Sequence, residues 1–151
     1  MIIKSTSKQT TQKLAEKIAK KLLKKRLKIK SGLVIGLQGN LGTGKTTFVQ
    51  GFARGLKIKS KILSPTFVIM RVYPLKSKDC FLNFYHVDAY RIEKQKELNT
   101  IGLKKIINDP KNIILIEWVE KIKGMLPKKI FLIFFKHGRA KNERIIQFKT
   151  L

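Results

Sequence analysis

Gly39-Asn40-Leu41-Gly42-Thr43-Gly44-Lys45-Thr46 has the spacing G-x-x-x-x-G-K-T, and the fold class follows from reading it with its flanks. In such a loop, successive backbone N–H groups form a concave nest for an anion, and the positive end of the following helix reinforces it. The lysine reaches the outer phosphates of a nucleoside triphosphate, and the hydroxyl beside it ligates Mg²⁺. Gly39, Gly42, Thr43, Gly44, Lys45, Thr46 and Thr47 are the expected phosphate contacts, with Thr46 as a metal ligand. Composition alone yields such a match in roughly one sequence of this kind in a hundred, so the flanks decide. Leu33-Val34-Ile35-Gly36-Leu37 is a short apolar run of the type buried in a parallel sheet. Beyond the loop, Phe48, Val49, Phe52 and Leu56 recur at helical spacing, with Gly55 near the end. Strand, glycine loop and helix is the context a phosphate-binding loop requires. The competing reading, a glycine-rich turn without a ligand, does not call for that order.

Further elements follow on both sides. Upstream, residues 10–27 place Leu14, Ile18, Leu22 and Leu23 on one helical face with lysines elsewhere, and Ser7 or Thr6 is positioned to cap that helix. The run Lys24-Lys25-Arg26 suits the negative end of its dipole. Downstream, a polar turn Ser64-Pro65-Thr66 leads into expected strands over 67–73 and 81–87. A helical stretch over 94–107 is broken near Gly102. The aliphatic strand 113–116 closes on Glu117-Trp118, and two last strands, 130–135 and 144–148, are joined through His137-Gly138-Arg139. The order β-α-β-β-α-β-β-β predicts an α/β fold of the P-loop NTPase type. Its mixed sheet has parallel central strands flanked by helices and antiparallel strands at the edges. A chain of 151 residues fits one such domain, 1–151.

Composition bounds the rest. There is no apolar run of about 18 residues and no leader pattern at the start. The single cysteine, Cys80, has no intramolecular disulfide partner and reads as a small hydrophobe at a strand edge. A soluble, cytoplasmic chain with no membrane partner is expected. The formal charge of +25, from 34 Lys and Arg against 9 Asp and Glu, admits two explanations. One is a surface selected for RNA or an acidic partner. The other is a lysine-rich, isoleucine-rich bias of the whole proteome, which the even spread of lysines along the chain suits as well.

A triphosphate enzyme also needs an acidic group for its metal, usually at the end of an apolar strand beside the loop strand. Glu117 fits, and among only 9 carboxylates a glutamate there is less easily incidental; an ordinary surface glutamate is the alternative. Asp88 likewise ends an apolar run. Strand alternation would put His86, Asp88 and Tyr90 on one face, either as a phosphate-sensing segment or as a structural network in which His86 and Tyr90 satisfy a buried aspartate. Neither His86 nor His137 has the spacing to a second soft ligand that zinc requires. Trp118, the only tryptophan, is either core or a lid over the site. Thr66 lies where nucleotide switches sense the γ-phosphate.

Taken together, the loop with Thr47, Ser64-Pro65-Thr66-Phe67, His86-Val87-Asp88-Ala89-Tyr90-Arg91 and Ile116-Glu117-Trp118 resemble the bacterial TsaE family, the small ATPase of tRNA threonylcarbamoyladenosine biosynthesis. The resemblance runs from about Ser7 to Arg139 in matching order. It implies a protein that binds ATP and Mg²⁺ and hydrolyses ATP slowly when alone. It also implies work beside the TsaB–TsaD pair, which transfers threonylcarbamoyl to the tRNA adenosine next to the anticodon. Whether tRNA is contacted directly or only through that pair is left open by the sequence, and no DNA partner is expected. By the same resemblance Gly42 to Thr47 hold phosphates, Thr46 and Glu117 hold Mg²⁺, and Lys45, Asp88, Glu117 and Trp118 form the catalytic set. Thr66 falls in the first switch and Gly138 near the base. Two departures stand out: Ser7-Lys8-Gln9 where the family often has acidic residues, and Val119 where many members have proline. Two further classes share the loop: a small-molecule or nucleoside kinase, which would usually carry an arginine-bearing lid, and an RNA-binding module switched by nucleotide.

Overall fold

The structure is a computed structural model that describes residues 1–24, 29–64, 68–76, 81–94 and 96–150. Thr66, Phe67, Cys80 and the end of the first expected helix lie outside the described residues. The elements are β1 (Ile2–Ser5), α1 (Lys8–Lys24), β2 (Leu33–Gln38), α2 (Lys45–Gly55), β3 (Met70–Pro74), β4 (Asn83–Asp88), α3 (Lys96–Thr100), α4 (Leu103–Asn108), β5 (Asn112–Glu117), a 3₁₀ segment (Val119–Met125), β6 (Phe131–His137) and β7 (Arg144–Thr150).

The strands make one sheet in the order β1-β7-β6-β2-β5-β4-β3. Its centre, β6-β2-β5-β4, is parallel. β7 and β1 at one edge and β3 at the other run antiparallel, so the mixed sheet read from the sequence is present. Central parallel strands are covered on both faces, which is why β2 and β5 are almost wholly apolar; every residue of β5 is buried. Leu33, Ile35, Leu37, Ile113 and Leu115 face a core shared with α1 and α2, whereas Val34, Ile114 and Ile116 face one built with α3, α4 and the 3₁₀ segment.

The loop helix is seated by aromatic packing. Phe48 and Phe52 on α2 are fully buried and meet Phe135 on β6 and Phe84 on β4 at centroid distances of 5.6 and 5.9 Å. Each buried ring contributes about 1.5–3 kcal/mol of transfer free energy. On its other side α2 meets α1 almost backbone to backbone. A Cβ at Gly51 would lie 2.2 Å from the Gln12 carbonyl oxygen, and one at Gly55 would lie 2.5 Å from that of Glu16.

That contact revises the reading of α1. Its centre line is Thr11, Ala15 and Ala19, all buried, while Leu14, Ile18, Leu22 and Leu23 flank it half-buried. Leucines at the centre would hold the two helices apart. The Ser7 hydroxyl caps α1, accepting from the Thr10 N–H at 3.1 Å. The 94–107 stretch divides into α3 and α4 at Gly102, whose φ of 72° places it in the left-handed region. Strand β1 was not foreseen: it is four residues long, half-exposed, and pairs with β7 at the far end of the chain. Among the described residues no helix is long and apolar enough to cross a membrane.

Candidate functional site

The glycine loop links the end of β2 to the start of α2, and its backbone explains its glycines. Gly42 and Gly44 have φ values of 74° and 97°, in the region other residues enter only under strain. Gly39 is constrained by space as well, because a Cβ there would lie 2.4 Å from the Phe135 carbonyl oxygen on β6. Gly44 caps α2, so Lys45, Thr46 and Thr47 form its first turn, with the free N–H groups and positive dipole end available to an anion. The Lys45 ammonium donates to the carbonyl oxygens of Gly39 at 2.6 Å and Asn40 at 3.0 Å and lies 3.9 Å from the Trp118 ring centroid. Burial pushes its pKa below the usual lysine value, against the opposing pull of Glu117, Glu120 and Asp88.

Sheet register delivers the carboxylates. Glu117 on β5 is level with Leu37 on β2 and with Asp88 on β4, so both acids stand at the carboxyl ends of strands beside the loop. The Thr46 hydroxyl lies 2.9 Å from Glu117 Oε2 and 3.2 Å from Oε1, to which it donates. On the other side the His86 imidazole lies 2.8 Å from Glu117 Oε1. His86 is fully buried, and Glu117 and Asp88 are 2% and 5% exposed. Asp88 accepts from the Ser64 hydroxyl at 3.0 Å and the Tyr90 N–H at 2.9 Å. The Tyr90 ring packs against Trp118 at 5.1 Å between centroids with the planes inclined by 47°, and the Lys121 ammonium donates to the Tyr90 carbonyl. Trp118 itself has a φ of 57°, a strained conformation for so bulky a residue.

The sequence-predicted residues converge, with corrections in how they pair. Gly42, Gly44, Lys45, Thr46, Thr47, Asp88, Glu117 and Trp118 line one pocket of about 310 Å³. Thr43 is buried beneath the loop, its hydroxyl donating to Asn40. Trp118 is partly buried against the second core and also forms the pocket wall beside Lys45. His86 and Asp88 share a face, but Tyr90 falls beyond the end of β4, so alternation does not reach it. His86 bonds Glu117, not Asp88, and Tyr90 serves the aspartate through its backbone. Of the polar turn, Ser64 reaches Asp88.

His137 ends β6 instead of joining the last two strands, and its ring contacts the Leu41 carbonyl at 3.3 Å. That contact brings the β6–β7 loop against the tip of the glycine loop. At Gly138 a Cβ would fall 2.3 Å from Glu143 Cγ, so any larger residue there would have to displace the Glu143 side chain. Three contributors escaped the sequence reading: the His86–Glu117 bond, the Ser64 side chain, and Leu41, 74% exposed at the loop tip. Only the first had a local signal, the even spacing of Phe84, His86 and Asp88.

Volume does not mark this site. A larger groove of about 1010 Å³ lies at the far end of α2, lined by Lys57 and Lys59 and by Tyr73 of β3, but among the described residues no carboxylate or glycine loop converges on it. The donors in the smaller pocket, a hydroxyl and carboxylates, are hard oxygens that suit Mg²⁺. Among the described residues no cluster of three or more His, Cys, Asp and Glu exists to cage a metal. Mg²⁺ takes one or two protein oxygens and completes its shell with phosphates and water.

Comparison with known proteins agrees with the geometry. The profile of the family described as "Threonylcarbamoyl adenosine biosynthesis protein TsaE" matches residues 5–146. The tRNA threonylcarbamoyladenosine biosynthesis protein TsaE of Bacillus subtilis is 40% identical over 122 residues, 81% of this chain and 72% of that protein. The protein of the same name from Borreliella burgdorferi is 38% identical over 108 residues, 70% and 74% of the two chains. The crystal structure of Bacillus subtilis YdiB superposes with a TM-score of 0.73 at 29% identity, covering 99% of this chain and 84% of that one. With its loop, strand-end carboxylates and sheet order all accounted for, the chain belongs to the TsaE family.

Proposed function

We propose that this chain is the ATP-hydrolysing subunit of tRNA threonylcarbamoyladenosine biosynthesis, dependent on Mg²⁺ and on a TsaB–TsaD-type transferase. The observation that carries the reading is the meeting of Thr46 and Glu117 at 2.9 Å: loop hydroxyl and strand-end carboxylate sit together where a nucleotide-bound cation must be held. The names of the relatives supply the pathway.

The backbone of Gly42 to Thr47 cradles the phosphates. The Lys45 ammonium leaves the Gly39 and Asn40 carbonyls for the outer phosphate oxygens, a short move within the same loop. Thr46 and Glu117 hold Mg²⁺, which when bound neutralises charge developing on the transferring phosphoryl group. With Glu117 committed to the cation, Asp88, anchored by Ser64 and Tyr90, orients the attacking water. Trp118 excludes solvent from one side of Lys45, which strengthens the attraction between its ammonium and a phosphate. Gly138 keeps the β6–β7 loop close to the site on the side of the base, and Thr66 belongs to the first switch. Among the described residues that line the pocket there is no arginine, and slow turnover alone with faster turnover beside a partner is expected.

The test is phosphate release from ATP with Mg²⁺, by the chain alone and with TsaB, TsaD and tRNA, beside Glu117→Ala. Slow release that rises with the partners and vanishes in the variant supports the reading. Release that no partner stimulates and the variant leaves unchanged refutes it, and phosphate passed to a metabolite would make the chain a kinase.

A further inference from the structure

His86 is the buried group for which the mechanism above has no use. It stands on β4 between Arg71 of β3 and Leu115 of β5 and is fully buried. A polar ring in such a place is unfavourable unless it is bonded. Its one bond is to Glu117 Oε1 at 2.8 Å, and among the described residues Nδ1 has no hydrogen-bond partner. Because an ionised carboxylate only accepts, Nε2 carries the proton and donates it. For stability alone an apolar side chain would fill this position without leaving a buried nitrogen unpartnered. The bond therefore has to be understood from the Glu117 side.

Glu117 has three rotatable side-chain bonds, and immobilising such a chain costs rotamer entropy. Thr46 alone cannot fix it, since its hydroxyl rotates and is shared between both oxygens. The imidazole, held rigidly by the sheet, fixes Oε1 and leaves Oε2 turned toward Thr46. We propose that His86 is a positioning residue that orients the Glu117 carboxylate in advance for the divalent cation accompanying the nucleotide. The inference rests on the reading of this pocket as an ATP·Mg²⁺ site.

Calorimetric titration of the folded chain with ATP, once with Mg²⁺ and once with a chelator, tests it. Gln at position 86 carries a donor as far from the backbone as Nε2; Asn reaches only as far as Nδ1; Phe has none. His86→Asn and His86→Phe should weaken Mg·ATP binding about tenfold, at the lower end of what supporting residues contribute at metal sites, while metal-free ATP binds as before. His86→Gln should restore most of the loss. In a Glu117→Ala background, His86→Asn should have no further effect, because the two act as one unit.

Native Mg·ATP affinity in the Asn and Phe chains overturns the proposal, and so does an equal loss with and without metal. Should neither variant fold, the Gln chain decides: native affinity supports the bond as the operative contact, and a tenfold loss refutes it. A native chain that binds ATP no better with Mg²⁺ than without would overturn the site reading itself.

Discussion

Gly51→Ala isolates the contact that seats the nucleotide helix. Gly51 lies inside α2, where alanine is the better helix former by about 0.5–1 kcal/mol; local propensity therefore predicts a more stable chain. Tertiary contact predicts the opposite. The new methyl carbon would lie 2.2 Å from the Gln12 carbonyl oxygen, 2.6 Å from Gln12 Cα and 2.7 Å from its carbonyl carbon. All three are backbone atoms of α1, so no rotamer change relieves them and the helix must retreat by roughly 1 Å in a close-packed interior. Overpacking of this kind costs about 1–3 kcal/mol, and the backbone nature of the clash places it at the upper end. Separation also loosens the packing of Ala15 and Ala19, which adds to the loss. The net expectation is a destabilisation of about 1–3 kcal/mol, or a fall of roughly 3–10 °C in melting temperature for a chain of this size. Thermal melts followed by circular dichroism measure it. A melting temperature equal to or above the native one would refute the close approach of α1 and α2, because propensity would then be the only effect at work.

Gly44→Ala probes the complementary case. Nothing lies within 4 Å of the added carbon, but φ is 97°, so left-handed strain of about 1–2 kcal/mol should lower the melting temperature by a few degrees; native stability would refute that conformation. The single tryptophan offers an optical readout. Lys45 lies over the Trp118 ring, so saturation with Mg·ATP should change intrinsic fluorescence, and binding seen by calorimetry without any change would contradict the proposed movement of the lysine. Because burial lowers the Lys45 pKa from its ordinary 10.5, the ATP affinity advantage of the native chain over Lys45→Met should fall away as pH rises, before 10.5 is reached; an advantage persisting to that pH refutes it. Glu143 behaves oppositely. The hydrogen bond from Lys4, followed by the Arg139 N–H, holds its carboxyl below the ordinary 4.5, so its contribution to stability is present above that value and is lost as pH falls through the folded one. The stability difference between native and Glu143→Gln chains should be level well above the ordinary 4.5 and shrink as pH falls below it; a difference indifferent to acid refutes the pairing.

The legible parts of the chain were those whose signal is local. The loop requires glycines at particular offsets because its backbone turns left-handed at Gly42 and Gly44. The same few residues that form the turn are those proposed to carry the phosphate contacts. The aliphatic run ending in Glu117 announces a buried central strand with a carboxylate at its tip, and that is how β5 is built. Gly102 marks the break between α3 and α4 for the same local reason. Where the expected pattern was too short or its partner too distant, it failed. β1 is four residues whose pairing lies with β7. The leucines and isoleucine expected on the inner face of α1 do pack against the core. Its centre, Thr11, Ala15 and Ala19, was not legible because small residues carry no hydrophobic signal until the glycines of α2 are brought against them.

From the sequence alone came the ligand class, the sheet type and nearly every residue of the pocket, because backbone conformation, strand burial and phosphate chemistry each select residue types over a handful of neighbours. Tertiary structure alone decided the pairings: that His86 bonds Glu117 rather than Asp88, that Ser64 bonds Asp88, that Trp118 lies against Lys45, and that His137 reaches the loop tip. Those contacts join segments 24 to 96 residues apart. Their distances are set by sheet register and helix packing, which depend on the whole core at once and on no single stretch of chain.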